Sequence, residues 1–160
     1  RDPAERPTLE TVPEAEAIIK RYIESANAPT LHIKESDSAY YCPATDEVVV
    51  PMLKQYEHVE EFYSTTFHEL IHSTGKSTRC GRKSEGSHAA FGSKEYSKEE
   101  LVAEIGACFL SSKAGLDSET AFRNSVAYLQ SWLKVLKNDP KMIVYASSQA
   151  EKGCEYILNA

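Results

Sequence analysis

Residues 67–75 read FHELIHSTG, from Phe67 to Gly75. His68 and His72 stand four apart, so on a helix they lie on one face, one turn from each other. Two imidazoles so placed can grip one divalent ion. The enclosed Glu69 then lies within reach of a water at that ion, as a general base. Accidental matches to this pattern in a chain of ordinary composition occur on the order of one in a hundred or less.

The neighbouring residues test this reading against that of an amphipathic helix showing two histidines to solvent. At about 100° per residue, with His68 at zero, Glu61, His72 and Thr65 fall at about 20°, 40° and 60°. Val59, Tyr63, Phe67, Leu70 and Ile71 fall on the opposite side, between about 180° and 300°. One face is built for a core. The other offers both histidines, with a small Thr65 that leaves room for substrate.

A catalytic zinc of this kind takes three protein ligands and keeps a fourth position open. The stretch YSKEELVAEIGACFL (96–110) supplies the candidates. Glu100 and Glu104 are again four apart. Glu104 sits beside an apolar arc, where a carboxylate needs a partner. The residues favour Glu100 as ligand and Glu104 as acceptor of a hydrogen bond from a ligand histidine. They leave an alternative open: Ser97-x-x-Glu100 also fits a capping box, which would pass the ligand role to Glu104. His32, His58 and His88 are isolated and are read as incidental.

Around this centre the chain reads as one domain. Its 160 residues suffice for a hydrophobic core. Residues 1–12 are a polar, Pro-rich lead-in, and residues 13–160 form the domain. Pro13 opens a helix with Ile18, Ile19, Tyr22 and Ile23 on one stripe. A strand at Leu31–Ile33 and a hairpin through Tyr40–Cys42 and Val48–Val50 follow. Helices are expected over 57–74, closed by a left-handed Gly75, then over 97–114, 119–138 and 140–158. Strands first and helices after predict an α+β fold with a small sheet.

The net charge of −6 argues against a nonspecific grip on nucleic acid. The one basic cluster, KSTRCGRK (76–83), is read as a solvated loop. None of the four cysteines forms a C-x-x-C pair. With no signal peptide and no run long enough to span a bilayer, a reducing cytoplasm fits, in a bacterial or mobile-element setting. The opening RDPAERP, without an initiating Met, looks like a piece of something longer.

Taken together, FHELIHSTG, FGSKEYSKEELVAEIGACFL (91–110) and the segment from Asn124 to Leu158 resemble the C-terminal metallopeptidase domain of ArdC-type antirestriction proteins, also found in phage and plasmid polyvalent proteins. The similarity runs from about Tyr40 to the C-terminus. Between motif and third-ligand helix it rests only on Arg79, Arg82, Phe91 and Gly92. It implies a zincin fold: a short twisted sheet with an edge strand, an active-site helix and C-terminal helices. It also implies a gluzincin ligand order, in which Glu100 binds Zn2+ and Glu104 supports a ligand histidine. By that resemblance the chain is a zinc metallopeptidase acting on a peptide or protein substrate. DNA would be bound only by a separate domain that nothing here matches.

A second donor stabilises the oxyanion in such reactions. Tyr96 is the first candidate and Tyr128 the second. Asn124, Tyr128 and Trp132 recur every four residues, a stripe read as helix packing. The hairpin strand at Tyr40 or Val48–Val50 is a candidate edge for an extended peptide. The competing function is a binding module that holds zinc for structure and blocks a partner such as a restriction enzyme.

Overall fold

The computed structural model describes residues 8–82, 94–116, 119–137 and 139–160. Five helices and three strands follow in the order α1 (Pro13–Ile23), β1 (Thr30–Lys34), β2 (Tyr40–Cys42), β3 (Glu47–Pro51), α2 (Val59–Thr74), α3 (Lys94–Lys113), α4 (Glu119–Val135) and α5 (Pro140–Leu158). A short 3-10 turn, Leu53–Gln55, links β3 to α2.

The sheet order is β1-β3-β2. β3 is central because its three valines are buried, at 0%, 3% and 0% exposure, whereas both flanking strands carry polar or half-exposed residues. It pairs antiparallel with β2 across the 43–46 turn and parallel with β1, with Leu31 opposite Val48 and Ile33 opposite Val50. The central place of β3 removes Val48–Val50 as a peptide-binding edge and leaves β2 as the hairpin's edge strand.

α2 crosses the middle of the molecule. Of the face assigned to the core, Tyr63, Phe67, Leu70 and Ile71 are fully buried and Val59 is partly buried. α1 is tied to this helix by Tyr22, whose hydroxyl lies 2.8 Å from Ser73 Oγ. The Tyr63 hydroxyl receives the Val12 amide at 3.0 Å and donates to Glu16 at 2.6 Å, so the end of the lead-in is fastened as well.

α2, α3 and α5 meet at two glycines. A Cβ on Gly106 of α3 would lie 2.7 Å from Ile71 Cγ1, and one on Gly153 of α5 would lie 3.0 Å from Thr74 Oγ1. The absent side chains let α3 and α5 approach the end of α2 where the histidines sit.

Two helix boundaries depart from expectation. α3 begins at Lys94, so Ser97 is a fully buried residue inside the helix and cannot be its N-cap. The capping-box alternative for Glu100 falls with it. Gly75 is right-handed, at φ −68. No left-handed cap is needed there, because Arg82 donates to the last carbonyls of α2, Ile71 O at 2.7 Å and His72 O at 3.4 Å.

The basic cluster is not simply a solvated loop. The Arg79 and Arg82 side chains are both 0% exposed. Each has found fixed carboxylate and carbonyl partners, which outweigh the cost of removing a guanidinium from water. Among the described residues, no helix is long and apolar enough to cross a membrane.

Candidate metal centre

The helical spacing of α2 brings the two imidazoles together, with ring centroids 4.8 Å apart and Nε2 atoms 3.1 Å apart. α3 packs across them. Its first half places Glu100 with Oε2 3.1 Å from His68 Nε2 and Oε1 3.0 Å from His72 Nε2. His68, His72 and Glu100 each offer one donor atom, all within 4.8 Å of one another.

This donor set fits a divalent cation. The two Nε2 atoms stand 3.1 Å apart, an approach that suits two lone pairs on one cation better than two N–H groups facing each other. Tetrahedral ligands at about 2.0–2.2 Å from an ion stand roughly 3.3–3.6 Å apart, slightly wider than the contacts seen. Two neutral nitrogens and one carboxylate oxygen also match the ligand chemistry of a catalytic zinc.

The far side of each ring is occupied too. His68 Nδ1 lies 3.0 Å from Glu104 Oε1. His72 Nδ1 lies 3.4 Å from Glu99 Oε1. A carboxylate at Nδ1 draws the ring proton there and leaves the Nε2 lone pair for the ion.

Without an ion, the same contacts favour charge separation. Burial works against a charged His68, but hydrogen bonds to Glu100 and Glu104 outweigh it and raise its pKa to about 9. His72 is buried as well, and contacts with Glu100 and Glu99 still carry its pKa well above the ordinary value. Burial likewise opposes ionisation of Glu100, yet both histidines hold its carboxyl well below the usual range.

The centre opens on a cleft of about 830 Å³. His68, Glu69, Glu100 and Glu104 form its floor; Tyr56, Glu61 and Thr65 line one wall and Asn124, Tyr128 and Trp132 the other, on α4. Ala39, just before β2, is at the rim. Glu69 is 8% exposed, and burial raises its pKa.

The Asn124–Tyr128–Trp132 stripe is therefore a cleft wall, with Tyr128 59% exposed, and not mainly helix packing. Only Trp132 also packs on the core. Tyr96 stacks edge-on against Trp132, with centroids 5.8 Å apart. Burial raises its hydroxyl pKa, and so do the nearby carboxylates of Glu100 and Glu69.

Two of the remaining histidines, His32 and His58, stand elsewhere. His32 pairs with Glu47 across the sheet at 3.2 Å, and His58 precedes α2 as its N-cap. His88, Phe91 and Gly92 lie outside the described residues.

Comparison with known proteins places this arrangement. The zincin-like metallopeptidase family matches residues 14–149. This chain belongs to that family. The zincin-like domain is 35% identical over 154 residues to the DNA primase TraC of Escherichia coli, covering 95% of this chain and 14% of TraC. It is 29% identical over 153 residues to the uncharacterized protein y4eC of Sinorhizobium fredii, covering 94% of this chain and 48% of that protein. The antirestriction protein ArdC of plasmid R388, in its Mn(II)-bound structure, superposes with a TM-score of 0.73 at 31% identity, over 97% of this chain and 54% of ArdC. The metal-free ArdC structure gives a TM-score of 0.68. The α+β zincin-like fold is thus shared with ArdC, whose structure holds Mn(II), and in this chain His68, His72 and Glu100 offer a place for a divalent metal. The domain spans 14% of TraC, 48% of y4eC and 54% of ArdC.

Sequence reading missed Glu99 and Tyr56. Glu99 shares a stripe with Val102, Ala103, Gly106 and Leu110, all buried. A carboxylate in mid-stripe was the available signal. Tyr56 lies outside any helix; burial raises its hydroxyl pKa, and so does the nearby Glu69 carboxylate. Only tertiary structure brings it to the cleft.

Proposed function

We propose that this zincin-like domain is a zinc-dependent peptidase that hydrolyses peptide bonds as part of an antirestriction or mobile-element protein. His68, His72 and Glu100 would hold the ion. When bound, the ion supplies Lewis acidity, polarising an oxygen ligand and bringing the ionisation of water toward neutral pH.

The chain's own residues supply the rest. Glu69 takes a proton from the attacking water and delivers it to the leaving amine. Tyr96 donates a hydrogen bond to the developing oxyanion, and Tyr128, on the α4 wall, is the second candidate. Glu104 fixes the His68 ring. An extended peptide enters along the cleft and adds to the β2 edge by backbone hydrogen bonds. The observation that carries this reading is the position of Glu69: it lies on the cleft floor beside the three donor residues, facing the space a substrate would fill.

A second reading is favoured by the likeness to an antirestriction protein: a binding module that keeps its metal for structure and blocks a partner. Glu69→Gln separates the two. The peptidase reading expects the variant to keep its metal and fold while peptide cleavage falls by roughly 10²-fold or more. Antirestriction activity that persists undiminished in this variant would favour the blocking module.

A further inference from the structure

Arg82 is buried beneath the metal centre without lining the cleft. Its side chain is 0% exposed. Nη1 donates to Thr74 Oγ1 at 2.8 Å, and Nη2 to Ile71 O at 2.7 Å. These bonds close the C-terminal end of α2. Nε and Nη2 turn the other way, onto Glu99, at 3.0 and 2.7 Å. The same Glu99 oxygen that receives Nη2 lies 3.4 Å from His72 Nδ1.

Closing a helix end does not account for Glu99. Carbonyls need a donor, and Arg82 would serve them without a carboxylate. A buried Arg–Glu pair is in general no more stabilising than an apolar pair of the same size. What the carboxylate adds is an acceptor aimed at one ring nitrogen of one ligand. A buried carboxylate needs partners, and Arg82 supplies two hydrogen bonds to Glu99, at 3.0 and 2.7 Å. The fork of Arg82 also fixes the plane of the carboxylate, which an ammonium would not do.

We infer that Arg82 is a positioning residue for the metal centre, orienting Glu99 so that Glu99 holds the His72 ring with Nδ1–H inward and Nε2 toward the ion. The two ligand histidines then have separate supports. Glu104 serves His68 directly from α3. His72 is served through a relay that begins in the loop after α2. The inference rests on the metal site and not on peptidase activity.

The test uses the whole chain titrated with Zn2+ against a competing chelator, with the imidazole N–H protons followed by NMR in the zinc-loaded protein. Glu99→Gln and Arg82→Gln should each weaken zinc binding by about 10–100-fold. Combining them should cost little more than the worse single change, because Arg82 acts through Glu99. Arg82→Lys should fall between wild type and Arg82→Gln. In all of these the His72 Nδ1–H signal should shift and exchange faster, while that of His68, held by Glu104, stays as in wild type.

Variants that melt earlier but bind zinc within twofold of wild type, with both N–H signals unchanged, would reduce Arg82 to a helix cap and overturn the inference. Glu99→Gln, which preserves size, decides the matter alone if Arg82→Gln does not fold. A wild-type chain that takes up no zinc would overturn the metal site itself, a distinct result.

Discussion

Asp46 holds the hairpin turn at φ 55, a left-handed conformation that few residues tolerate. Its carboxylate receives Arg79 Nη1 and Nη2 at 2.8 and 2.6 Å, the Tyr41 hydroxyl at 2.8 Å and Lys76 at 3.3 Å. Arg79 leads these in lowering the carboxyl pKa from 3.8 to about 2, against the opposing effect of burial. A carboxyl depressed in the folded state stabilises it fully above the unfolded pKa and loses that contribution as pH falls toward the folded one. In metal-free protein, Asp46 should contribute roughly 2 kcal/mol at neutral pH, lost between about pH 4 and pH 2. Asn tolerates the left-handed turn, so Asp46→Asn should remove this contribution without straining the backbone. Urea unfolding of both proteins across this range measures it; parallel pH profiles would contradict it. At this scale the legible placements were those set by local spacing: His68 and His72 come together on one face of α2, as their spacing predicts. Arg79, Arg82 and Glu99 were misread or missed because the burial of a charge depends on partners far away in sequence.

At the scale of elements, the centre depends on how closely α3 lies on α2. Gly106 sets that distance by leaving its Cβ space to Ile71. Gly106→Ala should force Ile71 aside, destabilise the chain by about 1–3 kcal/mol and weaken metal binding by moving Glu100. Denaturant midpoints and a metal titration check both effects; a variant as stable as wild type would show that the helices separate freely. The β2 edge carries its own expectation. Added peptide substrate should slow hydrogen exchange at residues 39–42 in Glu69→Gln, and unchanged exchange would exclude this edge as the docking strand. The five helices and the hairpin were readable from apolar periodicity and turn residues. The parallel pairing of β1 with β3 was not, since register between distant strands leaves no local mark. Nor was the early start of α3, which turned the apparent capping residue Ser97 into a buried helical one.

At the scale of the molecule, the core formed by the described residues supports the metal centre. The strands and α1 brace α2, while α3 and α5 close on its far end. α4 stands across the cleft as its second wall. The chain as a whole is acidic, with net charge −6, and six of the residues lining the cleft are His68 and the carboxylates Glu60, Glu61, Glu69, Glu100 and Glu104. Such a cleft attracts cations, the metal among them. The domain spans only part of the length of each relative. The most direct test of the account is calorimetric titration of metal-free protein with Zn2+, comparing wild type with Glu100→Ala. One ion per wild-type chain is expected, with affinity for the variant lower by roughly 100-fold or more. Equal affinity in the two proteins would show that the ion, if bound, is not held by the carboxylate of α3.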